Sequence, residues 1–122
     1  MTVISAEKAP TFETGHATIT GLAAPSRGAI DTSVWRVKLN ADEPSPPHSV
    51  TREEVFVVID GTLAVRYEDR VERAHAGGAL IVPAGESFSL AAIGGPAEAV
   101  CVLPVGGRAV LNGDVIVPPW AQ

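Results

Sequence analysis

The sequence predicts an all-β domain, a sandwich or a barrel, on three observations. Its 12 glycines and 10 prolines punctuate the chain about every eight to twelve residues, the spacing of short strands joined by turns. The apolar runs between them are short and rich in Val and Ile, side chains that suit a pleated, half-buried surface. No long window carries the apolar period of a helix.

Taken in order, Ser33 to Leu39 is the clearest strand. Trp35, Val37 and Leu39 fall on one face and Arg36 and Lys38 on the other, so one face is buried and one is wet. Ala41 to Pro47 holds three prolines and must be a loop. Glu54 to Asp60 is apolar on both faces, with Phe56 and Val58 on one and Val55, Val57 and Ile59 on the other. Such a strand is expected to be covered twice, by the core and by another sheet or a second subunit. Asp60-Gly61 is the dipeptide of a tight hairpin. Thr62 to Tyr67 follows, and Glu68-Asp69-Arg70 turns it into Val71 to Ala74. Ala79 to Val82 is a short buried strand, Pro83 to Glu86 a turn, and Ser87 to Ala91 the next strand, ended by Gly94-Gly95-Pro96. Glu98 to Leu103 points Ala99, Cys101 and Leu103 inward. The tail from Val115 to Trp120 is apolar and extended, and must dock on the domain or pair with another chain.

No repeat or linker divides the chain, so residues 1–122 are expected to form one domain, with a core at about 33–103 and both terminal segments packed on it. An apolar fraction of 46% is enough for one core without staples. The single cysteine, Cys101, excludes an internal disulfide and fits a reducing, cytoplasmic setting. The N-terminus lacks the basic-then-apolar pattern of a secretory leader, and no apolar run approaches the roughly 18 residues of a membrane helix. A net charge of −5 with scattered Lys and Arg argues against nucleic acid. Arg66, Arg70 and Arg73 alternate with Glu68, Asp69 and Glu72, which reads as a solvated mixed-charge hairpin.

The chemistry-bearing stretch is His48-Ser49-Val50-Thr51-Arg52-Glu53-Glu54, which leads into the apolar strand ending at Gly61. A second stretch, Gly77 to Gly85 with Pro83, is separated from Gly61 by 15 residues. In order and spacing the two resemble the paired motifs of the cupin superfamily, over roughly Val34 to Leu103. In the first motif a His-x-His pair precedes a Glu and then a Gly; His48, Val50, Glu54 and Gly61 stand there. In the second, Gly77, Pro83 and Gly85 match, and Phe88 stands where a third His belongs.

The resemblance implies a double-stranded β-helix, the cupin jelly-roll barrel, with a cavity between its two sheets, and a homodimer. It also implies that His48, Val50, Glu54 and Phe88 occupy the places of four metal ligands. With Val and Phe at two of them, the expectation is a drier, mostly apolar cavity without a firmly bound metal. The alternative is a divalent ion (Fe, Mn, Ni, Cu or Zn) on a partial site of His48 and Glu54. His75, in a turn before Gly77-Gly78, is expected to lie outside the barrel.

Three functions remain open on this sequence. The first is a module that binds a small organic molecule in a cavity walled by Val50, Phe56, Phe88, Trp35 and Cys101. The second is an enzyme of isomerase, epimerase, cyclase or dioxygenase type, in which His48 and Glu54 form a hydrogen-bonded acid/base pair or a partial metal site. The third is a structural or regulatory dimer. Tyr67 is a further candidate for the wall, His16 is assigned to the surface or an edge, and Trp120 to anchoring the tail.

Overall fold

The computed structural model describes residues 2–122. Twelve strands follow in order: β1 (Thr11–Glu13), β2 (Ala17–Ala23), β3 (Thr32–Leu39), β4 (Ser49–Val50), β5 (Glu54–Asp60), β6 (Thr62–Tyr67), β7 (Val71–His75), β8 (Ala79–Val82), β9 (Phe88–Ala92), β10 (Ala97–Pro104), β11 (Ala109–Leu111) and β12 (Asp114–Ile116). Two single 3-10 turns, Pro25–Arg27 and Pro119–Ala121, are the only helical segments among the described residues. Among the described residues no helix is long and apolar enough to cross a membrane.

One wall is an antiparallel sheet in the order β1-β2-β3-β10-β5-β8. Two shorter sheets, β7-β6-β9 and β12-β11-β4, make the other. They are joined by an antiparallel bridge between His48 and Phe88, in which His48 N–H donates to the Phe88 carbonyl at 3.0 Å and Phe88 N–H to the His48 carbonyl at 2.7 Å. The product is an all-β jelly-roll barrel, as the residues and motifs predict.

Alternation along the strands decides what faces inward. In β10, Ala97, Ala99, Cys101 and Leu103 are buried, and β3 buries Trp35, Val37 and Leu39. The register aligns one inward row across the large sheet: Gly21, Trp35, Cys101, Phe56 and Leu80. Glu54 joins the same face at the start of β5, opposite Val82.

Three expectations change. Asp60-Gly61 is not a hairpin: β5 pairs with β10 and β8, while β6 pairs with β7 and β9. The dipeptide is instead a corner that carries the chain from one wall to the other. Gly61 holds φ +75°, and a Cβ there would lie 2.6 Å from the Pro96 carbonyl oxygen. Gly61→Ala is therefore expected to cost about 1–3 kcal/mol from backbone strain and contact. An unchanged urea midpoint would refute the close approach. His75 closes β7 as its last residue, exposed and paired with Thr62 Oγ1 at 2.9 Å, rather than lying in a turn. Finally, no second sheet covers the outer face of β5 and β8 among the described residues, where Val57 is 40% exposed, Ile59 48% and Ile81 59%; of the two covers expected there, a second subunit is the one that remains.

The tail docks, as its apolar character requires. Trp120 packs edge-on against Phe12 at 6.1 Å and tilted against Trp35 at 6.3 Å between ring centroids. Arg27 fixes it by donating from Nε to the Leu22 carbonyl at 2.7 Å and from Nη2 to the Trp120 carbonyl at 3.0 Å. Gly21 makes room, since a Cβ there would meet Arg27 Nη2 at 2.7 Å.

Candidate functional site

Between the walls lies a cavity of about 270 Å3. Its floor is the inward row of the large sheet, Trp35, Cys101 and Phe56, together with Glu54. Phe88 and Leu90 of β9 face it from the other wall, and His48 lies beside them. The roof comes from the termini: Thr14 and His16 from the β1–β2 turn, and Leu111, Ile116, Pro118 and Trp120 from the C-terminal segment.

The wall is aromatic and apolar, and most of its polar groups are already engaged. Ser45 Oγ accepts from Leu90 N–H at 2.9 Å. Thr14 Oγ1 accepts from Ala17 N–H at 3.0 Å. The Trp35 side chain lies across the β3–β10 pair from the Cys101 thiol. That thiol is fully buried, and burial together with the nearby Glu54 carboxyl pushes its titration up, which makes it an inert small hydrophobe. Trp120 Nε1 is buried without a partner.

Glu54 is the exception. It is 5% exposed, and burial alone pushes its carboxyl from an ordinary 4.5 to about 8. No side chain neutralises it. At neutral pH the group is therefore mostly the uncharged acid, because desolvation penalises the carboxylate. A neutral carboxyl presents one O–H donor and an acceptor oxygen to the cavity.

His48 is half-buried. Its Nδ1–H donates to the Pro46 carbonyl at 2.9 Å, and its ring lies 4.4 Å from that of Phe88. Burial lowers its titration below 6.5, partly offset by the Pro46 bond and reinforced by His16. The sequence expectation of a His48–Glu54 hydrogen bond fails: both side chains line the cavity, but the imidazole is turned to the loop carbonyl and Glu54 feels no charge from it.

Of the other candidates, Trp35, Phe56, Phe88 and Cys101 meet on the cavity wall. Val50 does not. It is 3% exposed within the core, where β4 pairs with β11 at Ala109; Ala109 lines the cavity and Val50 does not. Tyr67 is buried elsewhere, beneath the Arg70 guanidinium at 4.0 Å from its ring centroid. Arg70 also binds Asp69, Glu72 and Glu86, so the mixed-charge hairpin is a satisfied surface network. His16 and Trp120, assigned to an edge and to anchoring, are wall residues. The signal for Trp120 was present in the greasy tail that had to dock. His16 carried none, because it sits in a turn whose position depends on the whole sheet.

The family described as "Cupin domain" matches residues 34–103, more than half of the chain. The chain belongs to the cupin family. No curated protein matches this cupin in sequence. Among solved structures it is similar to the polyketide cyclase RemF from Streptomyces resistomycificus, at 19% identity and a TM-score of 0.75, covering 98% of this chain and 82% of that one. It is similar to KdgF from Halomonas sp., at 15% identity and a TM-score of 0.70, covering 84% and 93%. It is also similar to oxalate decarboxylase from Bacillus subtilis, at 14% identity and a TM-score of 0.76, covering 85% of this cupin and 29% of that longer chain. At these identities the likeness is one of fold.

A metal held in the manner implied by the motifs does not fit the residues present. Val50 and Phe88 supply no donor atom, and the Phe88 ring packs directly on the His48 imidazole. No group of three or more His, Cys, Asp or Glu side chains converges among the described residues. Divalent ions want three or four such ligands.

Proposed function

We propose that this cupin binds one small, mostly apolar organic molecule in the barrel cavity, with Glu54 as the group that orients it. The supporting observation is a buried, unpaired carboxyl opening on a largely apolar cavity of about 270 Å3. That is the composition of a ligand site: apolar walls supply affinity and a few polar groups supply orientation. A carboxyl kept unpaired inside an apolar barrel lowers stability, so its retention favours a role.

A second reading is favoured by one further observation. Glu54 titrates at about 8, close to neutral pH, so both of its protonation states are accessible there. A group of that kind can donate a proton to a bound molecule and take one back, as an isomerase, epimerase or cyclase requires. Here Glu54 acts alone and His48 lines the pocket beside it.

The test of the binding reading is a screen of small neutral aromatic compounds by melting temperature and by tryptophan emission. Both tryptophans, Trp35 and Trp120, line the cavity, so a ligand there perturbs the emission directly. The expected result is saturable one-to-one binding that Ala109→Trp, which fills the cavity wall, abolishes. Compounds that bind the blocked variant equally well would refute the site.

A further inference from the structure

The polar groups of the cavity also say what kind of molecule fits, if the binding reading above holds. No Lys or Arg lines the wall. Thr14 Oγ1 and Ser45 Oγ already accept from backbone N–H groups, and His48 Nδ1 is held by Pro46. Four aromatic side chains, Trp35, Phe56, Phe88 and Trp120, and two imidazoles, His48 and His16, surround the space. Around Glu54 itself, β8 presents Val82 across the strand pair, and β10 presents Cys101, an uncharged thiol. The remaining titratable groups on the wall are His48 and His16. A carboxylate or phosphate entering here would meet no cation, and a buried unpaired anion is strongly disfavoured.

We infer that the cavity selects uncharged ring compounds carrying a hydrogen-bond acceptor such as a ketone, rejects carboxylates of the same shape, and uses the Glu54 O–H to read the acceptor. The ring stacks among the aromatic side chains. The carbonyl oxygen accepts from the Glu54 O–H; the Ser45 hydroxyl and Trp120 Nε1 are the other donors on the wall without a recorded acceptor. Glu54 is thereby a specificity residue of this site.

Three probes with one ring system separate the contributions: 2-acetylnaphthalene, 2-ethylnaphthalene and 2-naphthoate, titrated by calorimetry at pH 7. The ketone is expected to bind about tenfold tighter than the alkyl compound, the worth of one buried hydrogen bond. The carboxylate is expected to bind at least about a hundredfold more weakly than the ketone. Glu54→Ala should erase the ketone's advantage and leave 2-ethylnaphthalene binding in place. Glu54→Gln should retain most of the advantage, because its amide N–H also donates. In the unaltered protein the advantage should shrink as pH rises past about 8, when the carboxylate can only accept. Naphthoate binding as tightly as the ketone, or a ketone preference that survives Glu54→Ala, would overturn the inference and leave the binding site standing. Failure of all three probes to bind would remove the site as well.

Discussion

Glu54→Gln is expected to flatten the alkaline side of the stability curve. In the folded protein the carboxyl titrates at about 8, against an ordinary 4.5, and burial is the cause. Folding therefore tightens proton binding. Below about 4.5 the group is protonated in both states and carries no penalty. As pH climbs from there to about 8 the unfolded chain gains by ionising while the folded chain does not, so stability falls, and above that the loss levels off. The rise corresponds to roughly 5 kcal/mol, at about 1.4 kcal/mol for each tenfold change in proton affinity. Against a typical total of about 5–15 kcal/mol, that is a large effect. His48 works in the opposite direction: its lowered titration removes stability as pH falls below 6.5. Chemical denaturation from about pH 5 to about pH 9 should show several kcal/mol lost in the unaltered protein. In Glu54→Gln only the acidic limb should remain. Parallel curves would mean that Glu54 is hydrated and ionised when folded.

Phe88→Ala should cost about 3–5 kcal/mol, the range for removing a buried ring whose neighbours cannot collapse. Phe88 is 1% exposed. Its ring lies 4.4 Å from His48 and 6.4 Å from Phe56 between centroids, and its backbone forms the bridge that joins the two short sheets. The backbone bridge survives the substitution, so the loss is one of packing, and the cavity grows by the volume of the ring. A small aromatic solute should then restore part of the lost stability by filling the space, in proportion to its concentration over its Kd. A loss under about 1 kcal/mol, with no rescue, would show that the ring does not support the wall.

Most strands could be found from the chain alone, for a local reason. Strand periodicity is two residues, and β3, β5, β6, β8 and β10 write it in Val, Ile and aromatic side chains bounded by Gly and Pro. The inward face of β10 and the wall positions of Trp35, Phe56, Phe88 and Cys101 follow from the same parity. Glu54 also follows, since it shares a face with Phe56 and Val58. Val50 misleads: its burial is readable, but which buried side chains reach the cavity depends on the packing around them, and there Ala109, across the β4–β11 pair, lines it where Val50 does not.

The sequence by itself determined an all-β fold and the inward row of its large sheet, because strand parity is written along each segment, and its two motifs carried the resemblance to the cupin family. Only the tertiary structure decided three things. It made Asp60-Gly61 a corner between walls, since that depends on which strands pair and on the Pro96 carbonyl beside Gly61. It engaged the His48 imidazole with the Pro46 carbonyl at 2.9 Å rather than with Glu54. And it brought His16 and Trp120 from the two ends of the chain to roof one cavity, a juxtaposition set by long-range packing of the terminal segments on the barrel, to which no local pattern is sensitive.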